Sequence, residues 1–62
     1  MNDINDIHVA FINGQYKDMV KYINDFGVFE FTEELDADEG ITDSVKYAMV
    51  RKYAIVNDIV NN

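Results

Sequence analysis

Residues 13 to 27 read Asn13-Gly14-Gln15-Tyr16-Lys17-Asp18-Met19-Val20-Lys21-Tyr22-Ile23-Asn24-Asp25-Phe26-Gly27. Both ends of this stretch and its inward side follow from local chemistry. Tyr16, Met19, Val20 and Ile23 stand at i, i+3, i+4 and i+7, which sets four apolar side chains along one stripe of a 3.6-residue helix. Gly27 is a natural helix stop, and Asn13-Gly14 a turn-favouring pair tolerant of positive φ. A helix over about 15–25 is the expectation, with Lys17 and Lys21 on its outer side.

Upstream, Ile4, Ile7, Ala10 and Phe11 recur at helical spacing, and Asn2 or Asp3 can cap the segment. A single rod through Gly14 is the competing reading. At 100° per residue, however, the stripe of Ile4, Ile7 and Phe11 points about 130° away from that of Met19 and Ile23, so a rod would bury two different faces. A break at Asn13-Gly14 turns both stripes to one core as a helical hairpin.

Downstream the pattern is ambiguous. In Val28-Phe29-Glu30-Phe31-Thr32-Glu33-Glu34-Leu35, the residues Val28, Phe31 and Leu35 suit a helix, while Phe29 and Phe31 alternating with polar residues suit a short strand. A lone strand is not stable without neighbours, which favours the helix. In either conformation Phe29 and Phe31 are expected core anchors. Asp36 to Gly40 reads as a loop, and Thr42 and Asp43 supply capping groups for a last helix over 43–60. Its apolar arc holds Val45, Ala48, Met49, Tyr53, Val56 and Val60, flanked by Ile55 and Ile59, broad enough to meet more than one neighbour. Lys52 falls inside that arc and Arg51 beside it, so one edge is open to water or Lys52 extends its stem and keeps its ammonium wet.

The expectation is therefore an all-α fold, a single helical domain over 1–62 of three to four helices with an N-terminal hairpin. An α+β alternative with a short C-terminal hairpin rests on one echo. Lys46-Tyr47-Ala48-Met49-Val50 nearly repeats as Lys52-Tyr53-Ala54-Ile55-Val56, and a six-residue period keeps like residues on one face of a strand but not of a helix. No turn residue separates the copies.

Composition narrows the functional classes. Twelve acids against five bases give a net charge of −7, which repels phosphate backbones and excludes direct nucleic acid binding, while drawing in a basic partner surface. Hydrophobic residues still make up 48% of the chain, too many for a disordered acidic tail. With eight aromatic rings in so short a chain, crowding points to a homodimer or an obligate partner. No Cys is present, so a cytoplasmic setting without disulfides is expected. Neither a signal peptide nor a membrane span is read.

Seven acids, Glu30, Glu33, Glu34, Asp36, Asp38, Glu39 and Asp43, occupy a stretch without a single base. It is no calcium loop: started at Glu34, position 6 is Glu39 and position 12 is Val45; started at Asp36, these are Ile41 and Tyr47. Neither register supplies the required Gly and Glu. The run reads as a solvated edge, or as a face that docks a basic protein or imitates a DNA backbone. His8 is the only imidazole and Ser44 the only Ser, one a boundary residue and the other at a helix start, so neither metal ligation nor nucleophilic catalysis is expected. Gly14, Gly27 and Gly40 form no phosphate loop. No cofactor and no enzymatic activity are inferred. Tyr22 and Tyr47 lie off the assigned stripes, and with Glu30, Glu33, Glu34, Asp36, Asp38 and Glu39 they make up the expected partner-binding set.

Phe11-Ile12-Asn13-Gly14-Gln15-Tyr16-Lys17 followed by Asp25-Phe26-Gly27-Val28-Phe29-Glu30-Phe31 resembles the opening of small uncharacterised acidic proteins encoded by bacteriophages. The resemblance spans the first half of the chain. It implies a mobile-element protein acting on a host factor in the host cytoplasm, and it assigns no site residue. The reading that emerges is a non-enzymatic interaction module, an inhibitor or modulator working through an acidic surface. A DNA mimic and a structural homo-oligomerisation module are the alternatives.

Overall fold

The chain breaks at Gly14. In a computed structural model, which describes residues 3–61, α1 (Ile4–Ile12) ends there and α2 (Tyr16–Phe26) follows after three residues. Gly14 takes φ 73°. Its N–H reaches the Phe11 carbonyl at 3.1 Å and the Gln15 N–H reaches the Ala10 carbonyl at 2.9 Å. These paired bonds form a Schellman motif with glycine in its left-handed position. The rod is thereby excluded and the hairpin formed, with the Phe11 and Tyr16 rings 6.1 Å apart across the turn.

Asp3 is the N-cap of α1. Its side chain accepts from the Asn5 and Asp6 amides, and the Asp6 carboxylate accepts in return from the Asp3 N–H, a reciprocal capping box. The alternative cap, Asn2, lies outside the described residues.

Gly27, at φ 110°, joins two helices with no loop between them. Its N–H closes α2 on the Ile23 carbonyl, and its carbonyl opens α3 (Val28–Ala37) by accepting from the Phe31 N–H, both at 2.8 Å. The ambiguous segment is thus helical, and one expectation is corrected. Phe31 is 1% exposed but Phe29 is 67% exposed. Residues two apart stand about 200° apart on a helix, so once Phe31 and Leu35 turn inward Phe29 must turn out. The helix also runs through Ala37, so the connection is Asp38 to Thr42 and begins two residues later than the loop expected from Asp36. Within it Ile41 is buried, pinning the connection to the core.

The last helix, α4 (Asp43–Val60), begins at Thr42, whose hydroxyl accepts from the Val45 N–H at 3.3 Å. Thr42 therefore caps it, and Ser44 stands exposed in its first turn. Both copies of the six-residue echo lie inside this one helix, and no strand occurs among the described residues. The fold is all-α. The broad apolar arc of α4 is covered along only part of its width. Met49 is buried and Val45, Tyr53 and Val56 pack on the core, whereas Ala48, Ile55, Ile59 and Val60 are exposed.

One core joins all four helices: Ile7 and Ala10 from α1, Met19, Val20 and Ile23 from α2, Phe31 and Leu35 from α3, Ile41 from the connection and Met49 from α4. Polar contacts fix α4 across α2. The Tyr53 hydroxyl donates to Asn24 Oδ1 at 2.6 Å, and Asn24 Nδ2 donates to Asn57 Oδ1 at 3.2 Å. The Lys52 ammonium sits 4.6 Å from the Tyr16 ring centroid, where its stem lies over apolar surface and its charge faces an aromatic π-cloud. The accessible surface, 4252 Å², matches the roughly 4,100 Å² of a compact monomer of this mass. Among the described residues, nine large apolar side chains contribute to that surface.

Candidate partner-docking surface

Helix geometry sorts α3 into two sides. Phe31 and Leu35, four apart, face the core; opposite them run Phe29, Glu33 and Asp36 at i, i+4 and i+7, with Glu30 and Ala37 alongside. All five of these outward residues are exposed, and so is Glu34 on the flank. The result is one large exposed aromatic ring at the start of α3 followed by a run of carboxylates, with no basic residue in the last turn of the helix.

The acids are placed unevenly with respect to the helix dipole. Glu30 lies in the first turn, where negative charge is favourable. Asp36 and the following Asp38 and Glu39 lie at the negative end, where negative charge is unfavourable. The cation that relieves this end comes from another helix: Lys46 Nζ donates to the Asp36 carbonyl at 3.0 Å. Asp38 is half-buried, and its Oδ1 accepts from the Gly40 N–H at 2.8 Å. It shapes the turn into α4 and is not simply a surface charge. Glu39 and Asp43 are exposed beyond it.

The two tyrosines of the expected set lie in different surroundings. Tyr47 is exposed on α4, with the Arg51 guanidinium carbon 5.7 Å from its ring centroid. Tyr22, expected off the packed stripes, is half-buried and packs against the core. It also lines a cleft between α1 and α2 and not the acidic side of α3.

No protein-family model, curated protein or solved structure matches this chain. The surface is accordingly read from its own chemistry. Among the described residues, no group of three or more His, Cys, Asp or Glu side chains is arranged to hold a metal ion. No described helix is long and apolar enough to cross a membrane. His8 is half-buried on α1, apart in sequence from the acids of α3.

Sequence reasoning missed Phe29 as a surface residue and Ile41 as a buried one. The signal for Phe29 was the i, i+4 pair Phe31 and Leu35, which fixes the helix phase once a helix is accepted. For Ile41 it was the position just before the cap Thr42, where an apolar residue commonly packs back over the helix start.

Proposed function

We propose that this chain is a non-enzymatic interaction module that binds a host protein through the outward side of α3, in the manner of a bacteriophage-encoded modulator. Phe29 supplies the apolar contact, and Glu30, Glu33, Glu34 and Asp36 select a partner with a basic rim. The observation that carries this reading is Phe29 itself, an aromatic side chain 67% exposed in the first turn of α3, with Glu30 and Glu33 beside it on the helix surface. Charged rims set orientation and on-rate, while a central aromatic anchor supplies most of the affinity in many interfaces.

The test is capture from a bacterial lysate by the tagged chain, run beside Phe29→Ala and the double variant Glu33→Lys with Asp36→Lys. Asp36 is chosen over Asp38 because the latter holds the Gly40 amide. Both variants should retain full helicity and lose the captured protein. Equal capture by wild type and both variants removes α3 from the interface. Steep weakening by salt with no effect of Phe29→Ala would replace this reading with DNA mimicry, since exposed charges beyond about 10 Å are screened at 0.1 M salt while apolar contacts are not. Self-association without any captured protein would leave the structural module, with the exposed edge of α4 as its contact.

A further inference from the structure

Charge is spread unevenly over the four helices. Among them α4 alone is net positive: it carries Lys46, Arg51 and Lys52, three of the five bases, and only Asp43 and Asp58 of the twelve acids. Two copies of a chain with net charge −7 repel one another least through that helix. Its outward side also follows a regular pattern. Ser44, Ala48, Arg51, Ile55 and Asp58 stand at i, i+4, i+7, i+11 and i+14, all exposed, the seven-residue spacing that draws a seam along a helix. At about 100° per residue, Arg51 and Asp58 fall on one flank of Ile55, and Ala48 and Ile59 on the other. The apolar flank is prominent, with Ile55 51% and Ile59 69% exposed. On the charged flank the Arg51 guanidinium carbon sits 5.7 Å from the Tyr47 ring centroid. The ring holds the side chain along the helix surface, and the guanidinium edge keeps donors for a carboxylate.

We propose that a second copy of this chain docks on α4, the two helices antiparallel and crossing at Ile55 about a two-fold axis. In such a pair like flanks face each other, Ile55 meets its own copy on the axis, and a residue one turn before it comes level with one a turn after it. Arg51 therefore lies beside Asp58 of the second copy, and Asp58 beside its Arg51, so both ends of the contact carry a pair of opposite charges. Ile59 comes over the second copy's Ala48, whose small side chain leaves room for it. Asp58 also stands in the last turn of α4, where negative charge is unfavourable, and a guanidinium brought there by the second copy offsets that. A parallel pair fails on the same geometry: it sets opposite flanks together and lays Arg51 and Asp58 against the second copy's Ala48 and Ile59. The 18 residues of α4 span about 27 Å. A strip of that length and about 15 Å wide buries about 400 Å² per copy, which places the dimer among weak, reversible contacts. None of these residues belongs to α3, so the dimer does not depend on the docking role of Phe29.

The experiment is sedimentation equilibrium of the full chain from about 10 μM to about 1 mM at low salt, where exposed charge pairs are least screened. A reversible monomer–dimer equilibrium with Kd of about 100 μM is expected for a contact of this size. Ile55→Glu alters a side chain half exposed in the single chain; it should keep full helicity by circular dichroism and weaken the dimer at least about tenfold, since it sets two carboxylates together on the axis. Arg51→Glu and Asp58→Arg should each weaken it about tenfold by making both charge pairs repulsive. The two combined in one chain restore opposite charges at both ends and should return the affinity to within about twofold of wild type. Ile55→Glu should still capture the host protein and Phe29→Ala should still dimerise, which keeps this interface and the α3 surface apart. The assignment is overturned if the chain is monomeric at about 1 mM, if Ile55→Glu dimerises like wild type, or if the combined variant does not recover. A species larger than a dimer, or loss of the dimer in Glu33→Lys with Asp36→Lys, would equally overturn it, by showing a head-to-tail contact of α4 on α3.

Discussion

Replacing Phe29 and Phe31 separately by alanine puts the phase of α3 to a quantitative test. Phe31 is 1% exposed, and emptying such a site costs about 3–5 kcal/mol through lost burial and the cavity left behind. A chain of 62 residues has a total stability of about 3–9 kcal/mol, so Phe31→Ala should bring it to the edge of unfolding in water. Phe29 is 67% exposed. Full burial of a phenylalanine contributes up to about 3 kcal/mol, which leaves about 1 kcal/mol for the covered third. The better helix propensity of alanine returns up to about 0.5 kcal/mol of that. The net loss for Phe29→Ala is about 0.5 kcal/mol. With a urea dependence of about 1 kcal/mol per molar for so small a domain, circular dichroism should find its midpoint lowered by about 0.5 M. The Phe31→Ala midpoint should fall by about 3 M or the folded baseline disappear. Comparable losses in the two variants would refute the helix phase, since a strand would place both rings on one buried face. The carboxylate-ringed surface would then not exist.

Two further outcomes follow from single features. Gly27→Ala should destabilise by about 1–3 kcal/mol in the same urea assay, and by more than Gly14→Ala. Gly27 combines φ 110° with ψ 126° and a Cβ there would meet the Glu30 carboxylate, whereas Gly14, at φ 73°, has open space around it; equal costs would show that the α2–α3 junction does not need glycine. Tyr53→Phe should cost about 1 kcal/mol, and a double-mutant cycle with Asn24→Ala should show coupling of at least about 0.5 kcal/mol for the hydroxyl bond at 2.6 Å; strict additivity would mean that this bond does not tie α4 to α2.

How much of this was legible in the residues depends on whether a local rule had a competitor. Gly14 was decisive because its neighbours carried stripes pointing in different directions, and only a change of chain direction could bury both; Gly27 was legible as a helix stop. Thr42 was legible as a cap because an apolar arc begins three residues later. Phe29 was not, because an aromatic every second residue satisfies the strand period as well as an amphipathic helix satisfies its own, and the choice falls to tertiary packing. The width of the α4 arc overstated its burial for a related reason. Periodicity reports which side of a helix is apolar, but the area covered depends on how many neighbours reach it, and Ile59 at the far end remains 69% exposed. The proposed docking surface was legible as charge and not as shape: the acids were plain in the sequence, but the exposed ring that precedes them on α3 had been assigned to the core.

The distribution of charge around α3 bears on why the helix is built this way. A cation in a helix's own last turn stabilises it by about 0.3–1 kcal/mol through the macrodipole, and α3 has none. It ends on Asp36 and Ala37 and takes its counter-charge from Lys46, ten residues on and in another helix. The Asp36 carbonyl is thus met from α4, while the outward side stays free of basic residues from Glu30 to Asp36. With its cation supplied by α4, the outward side of α3 carries charge of one sign, the feature by which the proposed basic-rimmed partner would be oriented on the surface.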